Sequence, residues 1–242
     1  MPRVAGVEEL RADVALGCRI LGLEDQGDLV WGHVSGRDPG GRGVWMKASG
    51  LGFDEIGAEN VILVSWDGDV LEGDGGRHSE YAIHTELMRA RPDVAGVVHT
   101  HAPWAVAFAS VEAPLRPVSH DGTLFVPPDI ARFTKTGDLI LTRELGEALA
   151  ATVGERNAAL MVHHGIVTCG ADVVTAVMTA VFLERACRTN MRALAAGGPK
   201  TWSSDEEALA KREHVYSPRM AWDYLARRLA ASTREGSVHP PA

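Results

Sequence analysis

Three short clusters carry the residues best suited to chemistry: His78-Ser79-Glu80, His99-Thr100-His101 and His163-His164-Gly165. His99 and His101 stand where the apolar run Val94–Val98 ends and Pro103 opens another element. Residues two apart in a strand share a face, so both imidazoles can address one ion. The alternative is two incidental polar residues at a strand end. His163 and His164 end a second apolar run, Ala158–Val162. Neighbours in a strand point to opposite faces, so one of the two rings would join the ion, with Gly165 allowing a sharp turn that presents it. His163 in particular also reads as a buried ring satisfied by backbone. Glu80 follows Ser79 at an expected helix start, where the helix dipole holds a carboxylate ionised and aimed at the preceding loop, as a base requires. Plain compensation of the dipole is the alternative. Two more loops, Gly32-His33-Val34-Ser35-Gly36-Arg37 and Lys47-Ala48-Ser49-Gly50, place small residues and hydroxyls after strands, where backbone N–H groups can cradle an anion.

The elements that must position these residues are legible in outline. Val7, Leu10, Val14, Cys18 and Leu21 recur at helical spacing, predicting an opening amphipathic helix. Runs at Leu29–Val34, Val44–Lys47 and Val61–Trp66 read as strands, and Asp67-Gly68 before Val70-Leu71 signals a hairpin. A helix is expected from Glu80 to about Ala90, broken by Pro92, then a buried strand over Val94–His99. Leu145–Val153 and Val173–Leu194 predict helices around the strand Ala158–Val162, with a turn at His164-Gly165. Pro218–Leu229 predicts a last helix, with fraying after Thr233. Strands flanked by helices, with a local hairpin, predict an α/β layered fold with a mostly antiparallel sheet. No linker-like composition divides the chain, so residues 1–242 read as one domain.

Composition narrows the function. A net charge of −8 argues against a protein that neutralises nucleic-acid phosphates but leaves small anionic substrates open. Three scattered cysteines, Cys18, Cys169 and Cys187, form neither a disulfide framework nor a cysteine zinc site, which fits a reducing cytoplasm. The N-terminal residues lack the apolar core of a signal peptide, and no run reaches the roughly 18 apolar residues of a membrane span.

In their order and spacing, Gly32-His33-Val34-Ser35-Gly36-Arg37, Ser49-Gly50, His78-Ser79-Glu80 with His84, His99-Thr100-His101 and His164-Gly165 resemble the class II aldolase/adducin family. The resemblance covers roughly residues 8 to 195. It implies a three-layer α/β/α fold and one divalent metal ion (zinc, manganese, cobalt or iron) on His99, His101 and His164, with Glu80 close enough to exchange protons or complete the coordination. It also implies a homotetramer with active sites at subunit interfaces. Family chemistry centres on an enolate or enediolate whose charge the metal stabilises as a carbon–carbon bond breaks.

Two positions depart from the sugar-phosphate members. His33 stands where the family's loop has asparagine, and His78 where its helix start has a first serine. With Arg37, Lys47 and Arg77 nearby in sequence, these imidazoles suit a carboxylate or phenolic oxygen better than a phosphate. Ser35, Ser49, Gly50 and Ser79 complete the expected substrate-binding set. The string Gly-His-Val-Ser-Gly-Arg-Asp-Pro with Trp45-Met46-Lys47 is similar to the decarboxylase branch, which acts on hydroxylated aromatic or pyridine dicarboxylates. Glu80 or His78 would then exchange the proton. A retro-aldolase acting on a sugar phosphate or hydroxy-keto acid is the first alternative, an oxygenase-like relative another. A non-catalytic adducin-like structural protein is the alternative from a different class.

Overall fold

The computed structural model describes residues 6–215 and 217–235. Its frame is one eight-stranded sheet. In chain order the strands are β1 (His33–Arg37), β2 (Gly43–Lys47), β3 (Val61–Ser65), β4 (Val70–Glu72), β5 (Gly96–Thr100), β6 (Ala131–Phe133), β7 (Ala158–Met161) and β8 (Gly165–Gly170), arranged β4-β3-β2-β1-β5-β8-β7-β6. Every neighbouring pair is antiparallel except β6 with β7. The Asp67-Gly68 signal does make the β3–β4 hairpin, in which Val64 faces Val70.

Helices cover both faces, as the layered expectation required. On one side lie α1 (Val7–Leu23), α3 (Pro103–Ala109), α5 (Val173–Ala195) and α7 (Pro218–Glu235). The other side carries α2 (Ala82–Ala90) and α4 (Arg143–Val153). A further helix, α6 (Asp205–Val215), is charged around its circumference and was not expected from periodicity. Strand residues alternate between the two cores: Val61 and Leu63 of β3 pack under α1's layer, while Ile62 and Val64 pack under α2's. Burying each such aliphatic side chain contributes roughly 1.5–3 kcal/mol. Asp172 caps α5 by accepting from the Thr175 amide at 2.6 Å, and Thr142 caps α4 through Leu145.

Several expected boundaries shift. The strand proposed for Leu29–Val34 begins only at His33, because residues 28–31 form a turn closed by an Asp28–Trp31 bridge with Leu29 at φ 49°. Gly32, at φ 76°, then turns the chain into β1 with no room for a side chain: a Cβ there would lie 3.0 Å from the Phe53 ring. The helix expected from Glu80 begins at Ala82, and no side chain caps it, so Ser79 and Glu80 lie in the turn before it. The last helix runs past Thr233 to Glu235, and the tail beyond, where fraying was expected, lies outside the described residues. No helix among the described residues is long and apolar enough to cross a membrane.

Candidate metal centre

The centre of the sheet carries the chemistry. β1, β5 and β8 are adjacent, with His33 opposite His99 and His99 opposite Val167. His99 is the next-to-last residue of β5, His101 follows the strand, and His164 sits in the turn from β7 into β8. Together with Glu80 these residues offer ligand atoms all within 4.8 Å of one another. Glu80 Oε1 lies 3.5 Å from His164 Nε2, and Oε2 lies 3.8 Å from His99 Nε2.

The hydrogen bonds on the far side of the rings decide what the near side offers. His99 Nδ1 lies 2.9 Å from the Ile166 carbonyl oxygen, an acceptor only, so Nδ1 carries the proton and Nε2 keeps a lone pair. His101 Nδ1 donates to Asp28 Oδ2 at 2.7 Å, with the same result. The Nε2 atoms of His99, His101 and His164 are buried without any hydrogen-bond partner among the described residues. Buried nitrogens are seldom left unpaired, and the lone pairs of His99 and His101 converging with the His164 ring, neither of whose nitrogens has a partner among the described residues, beside a carboxylate fit a divalent cation. Rings whose second nitrogen is tied to carbonyl or carboxylate are how metal-binding histidines are usually oriented.

Contacts in the turn before α2 poise Glu80. Burial alone would raise its carboxyl, but the His164 and His99 rings beside it and the Ile140 amide, which donates to Oε1 at 2.7 Å, hold it down at about 2. It is therefore a carboxylate at neutral pH.

Of the neighbouring histidines, His164 joins the cluster and His163 does not. His163 is exposed, contrary to the buried ring considered for it, and it takes the left-handed backbone, φ 63°, that the turn needs. Gly165 serves a different purpose from the one expected: it lies in β8, where a Cβ would sit 2.5 Å from the Thr100 carbonyl and 3.0 Å from the His101 ring. Only glycine lets β8 close on these rings.

Beside the cluster is a cavity of about 320 Å³ lined by Trp31, Gly32, His33, His78, Ser79, Glu80, His101 and Leu139. The His33 and His78 rings lie 4.5 Å apart. Lys47 is fully buried behind His78, its ammonium donating to the carbonyls of Val30 and Ala48 and to His78 Nε2 at 3.3 Å. Burial lowers Lys47 to about 8; burial and the adjacent ammonium lower His78 to about 4.

Other residues expected around a substrate are turned elsewhere. Arg37 is at the far end of β1 and donates to the carbonyls of Met88, Arg91 and Val94, closing the C-terminal end of α2. Arg77 donates to the Gly68 and His78 carbonyls and lies over the Tyr81 ring. Ser35 is buried against His84 instead of facing the cavity. Ser49 and Gly50 form a turn tied to Gly76 that does not line the cavity. Asp28, Trp31, Leu139 and the Ile140 amide were not anticipated. Nothing in their local sequence marks them, because each reaches the site from a loop.

A fold of this topology, with three histidines and a glutamate at its central strands, agrees with the resemblance seen in the sequence. The chain belongs to the family described as class II aldolase and adducin N-terminal domain, whose model matches residues 12–191. Among its relatives is a 3,4-dihydroxyphthalate decarboxylase of Arthrobacter keyseri, 28% identical over 238 residues, which span 92% of this chain and 94% of that protein. A 5-deoxy-D-ribulose 1-phosphate aldolase of Bacillus thuringiensis serovar kurstaki is 31% identical over 72% of this chain and 80% of its own. An aldolase II superfamily protein from Pseudomonas syringae superposes with a TM-score of 0.83 at 28% identity, covering 95% of this chain and 96% of that one. Decarboxylase and aldolase relatives thus share this scaffold.

Proposed function

We propose that this protein is a metal-dependent carboxy-lyase acting on a hydroxylated aromatic dicarboxylate of the 3,4-dihydroxyphthalate type. One observation carries the choice: among the described residues, no arginine or lysine lines the cavity. The guanidinium groups of Arg37 and Arg77 are spent on backbone carbonyls, and the Lys47 ammonium on two carbonyls and His78. A phosphate dianion is left without the cationic partner that usually holds it. A flat ring can lie between Trp31 and Leu139, with its carboxylate and hydroxyl oxygens toward the imidazoles.

His99, His101 and His164 would hold the metal, with Glu80 able to complete its coordination. When bound, it supplies Lewis-acid stabilisation of the negative charge left on the substrate. Glu80, being ionised, must take a proton before it can give one, and a ring hydroxyl of the substrate is the natural source. The bond from ring carbon to carboxyl carbon breaks with its electron pair left on the ring, and carbon dioxide departs. Glu80 then delivers its proton to that ring carbon, and solvent reprotonates the hydroxyl. We assign this exchange to Glu80 and not to His78, whose Nε2 faces the Lys47 ammonium. His33 and His78 bind the substrate's oxygens or shape the wall against them. The exposed apolar side chains at the cavity mouth, Leu29, Trp31 and Leu139, support a homotetramer in which a neighbour covers them.

The test is a panel of hydroxylated aromatic diacids and phosphorylated ketoses offered to the metal-loaded protein, with carbon dioxide and aldehyde release as readouts. Carbon dioxide from a diacid is the expected result. Efficient cleavage of a ketose phosphate with no carbon dioxide from any diacid would make the protein a retro-aldolase. A protein that binds no metal would favour an adducin-like structural role. Replacing both imidazoles, His33→Asn with His78→Ser, should weaken the diacid by about 1–3 kcal/mol for each hydrogen bond lost while the metal stays bound.

A further inference from the structure

His33 is one end of a buried chain of hydrogen bonds that has a direction. Its Nδ1 lies 2.6 Å from His84 Nε2, and His84 Nδ1 lies 2.6 Å from Ser35 Oγ. All three side chains are buried, so solvent does not supply alternative partners. Both rings are buried and their hydrogen-bond partners are each other and a hydroxyl, with no carboxylate to hold a second proton, so each is neutral, donating at one nitrogen and accepting at the other.

Two arrangements satisfy the pairwise contacts. In the first, the Ser35 hydroxyl donates to His84 Nδ1, His84 Nε2–H donates to His33 Nδ1, and His33 carries its proton on Nε2. That nitrogen is the one left to face the cavity His33 lines. In the second, every bond runs the other way. His33 Nε2 then presents a lone pair, and the Ser35 hydroxyl must find another acceptor, yet it has none among the described residues. A buried donor left unpaired disfavours that arrangement by about tenfold or more.

We propose that Ser35 and His84 are positioning residues that fix His33 as a hydrogen-bond donor toward the cavity, so that this wall selects an anionic oxygen, a carboxylate or phenolate. Only the identity of that oxygen rests on the aromatic diacid reading. The direction of the chain does not. It also explains why β1 keeps a buried hydroxyl at Ser35, out of reach of any substrate: the hydroxyl sits at the end of the chain where a single donor sets both tautomers.

The experiment is nitrogen NMR of the zinc-loaded protein labelled with 15N-histidine, the His33 signals being assigned by their loss in His33→Gln. In the wild-type protein His33 should be protonated at Nε2 and bare at Nδ1. In Ser35→Ala the preference should relax toward a mixture, and in Ser35→Thr it should return. Binding of phthalate, measured by calorimetry, should weaken only about twofold in Ser35→Ala, because roughly half the molecules keep the competent tautomer. It should weaken about tenfold or more in His33→Phe, which lacks the donor altogether. A wild-type His33 protonated at Nδ1 overturns the proposal, as does a Ser35→Ala protein whose His33 tautomer is unchanged. Because the first of these readings needs no variant, it stands even if Ser35→Ala does not fold. The expected tautomers together with no phthalate binding would uphold the chain's direction and defeat the diacid reading alone.

Discussion

Two groups of histidines lie side by side at the heart of the sheet, and they differ in what their nitrogens already hold. His99, His101 and His164 present Nε2 atoms with no hydrogen-bond partner among the described residues, around the Glu80 carboxylate. His33, His78 and His84 have the nitrogens that point into the protein engaged, by each other, by Ser35 and by the Lys47 ammonium. Rings of one residue type, some in near contact such as His33 and His99 at 5.0 Å, are thus divided into a set that could hold an ion and a set already tied to one another, to Ser35 and to Lys47.

Emptying the first group is the harshest way to test that division. His99→Ala, His101→Ala and His164→Ala should each strip the protein of metal and of turnover, whereas exposed His163→Ala should leave both intact; elemental analysis of the purified variants decides. A depleted His163→Ala beside a fully loaded His164→Ala would reverse the assignment. Glu80→Gln should keep most of its metal while turnover falls by roughly two to four orders of magnitude, as when a general acid/base is lost. Near-normal turnover would reduce Glu80 to a structural anion.

On the second side, Lys47 gives a pH signature. Its folded value is depressed to about 8 from 10.5, so between these the unfolded chain holds a proton that the folded chain has shed. Stability should therefore rise with pH across that window, by at most about 3 kcal/mol, and be insensitive to Lys47 below it. Urea midpoints at both ends, compared with those of Lys47→Gln, isolate the contribution; parallel slopes in the two proteins would show that the ammonium is solvated. The gentlest change is Asp28→Asn, which leaves every ligand in place and loosens only the orientation of His101. Metal affinity, read by chelator competition, should drop by about 10–100-fold. An unchanged affinity would mean that the Asp28 contact orients nothing.

The layered fold and the histidines that cluster were legible because they depend on local pattern: apolar runs ending in His-x-His or His-His-Gly, and helical spacing in α1 and α5. What escaped depends on direction. His33, Ser35 and Arg37 share one face of β1 by its period of two, but the strand advances about 3.3 Å per residue. The same face therefore meets the cavity at His33, His84 at Ser35 and the far end of α2 at Arg37. Three residues adjacent in a motif thus reach three different places. Strand β8 was missed because Gly165-Ile166-Val167-Thr168-Cys169-Gly170 begins in the turn's own glycine and has neither the continuous apolar run that marked β5 and β7 nor a polar alternation. Asp28 escaped because a turn residue's reach is set by tertiary structure alone.

The pairing of β1 with β5 and of β5 with β8 also has a kinetic meaning. These neighbours come from distant parts of the chain, so each contact must close a long loop before it gains any stability, and such contacts form slowly. During synthesis the first two ligand histidines emerge well before the third, and no local element brings them together. A full-affinity metal site on these residues would consequently be a property of the completed sheet, and metal uptake would report the docking of β8 rather than the formation of any single helix or hairpin. Metal in the surrounding solution would then draw the folding equilibrium toward the finished molecule by mass action, without speeding the loop closures that precede it.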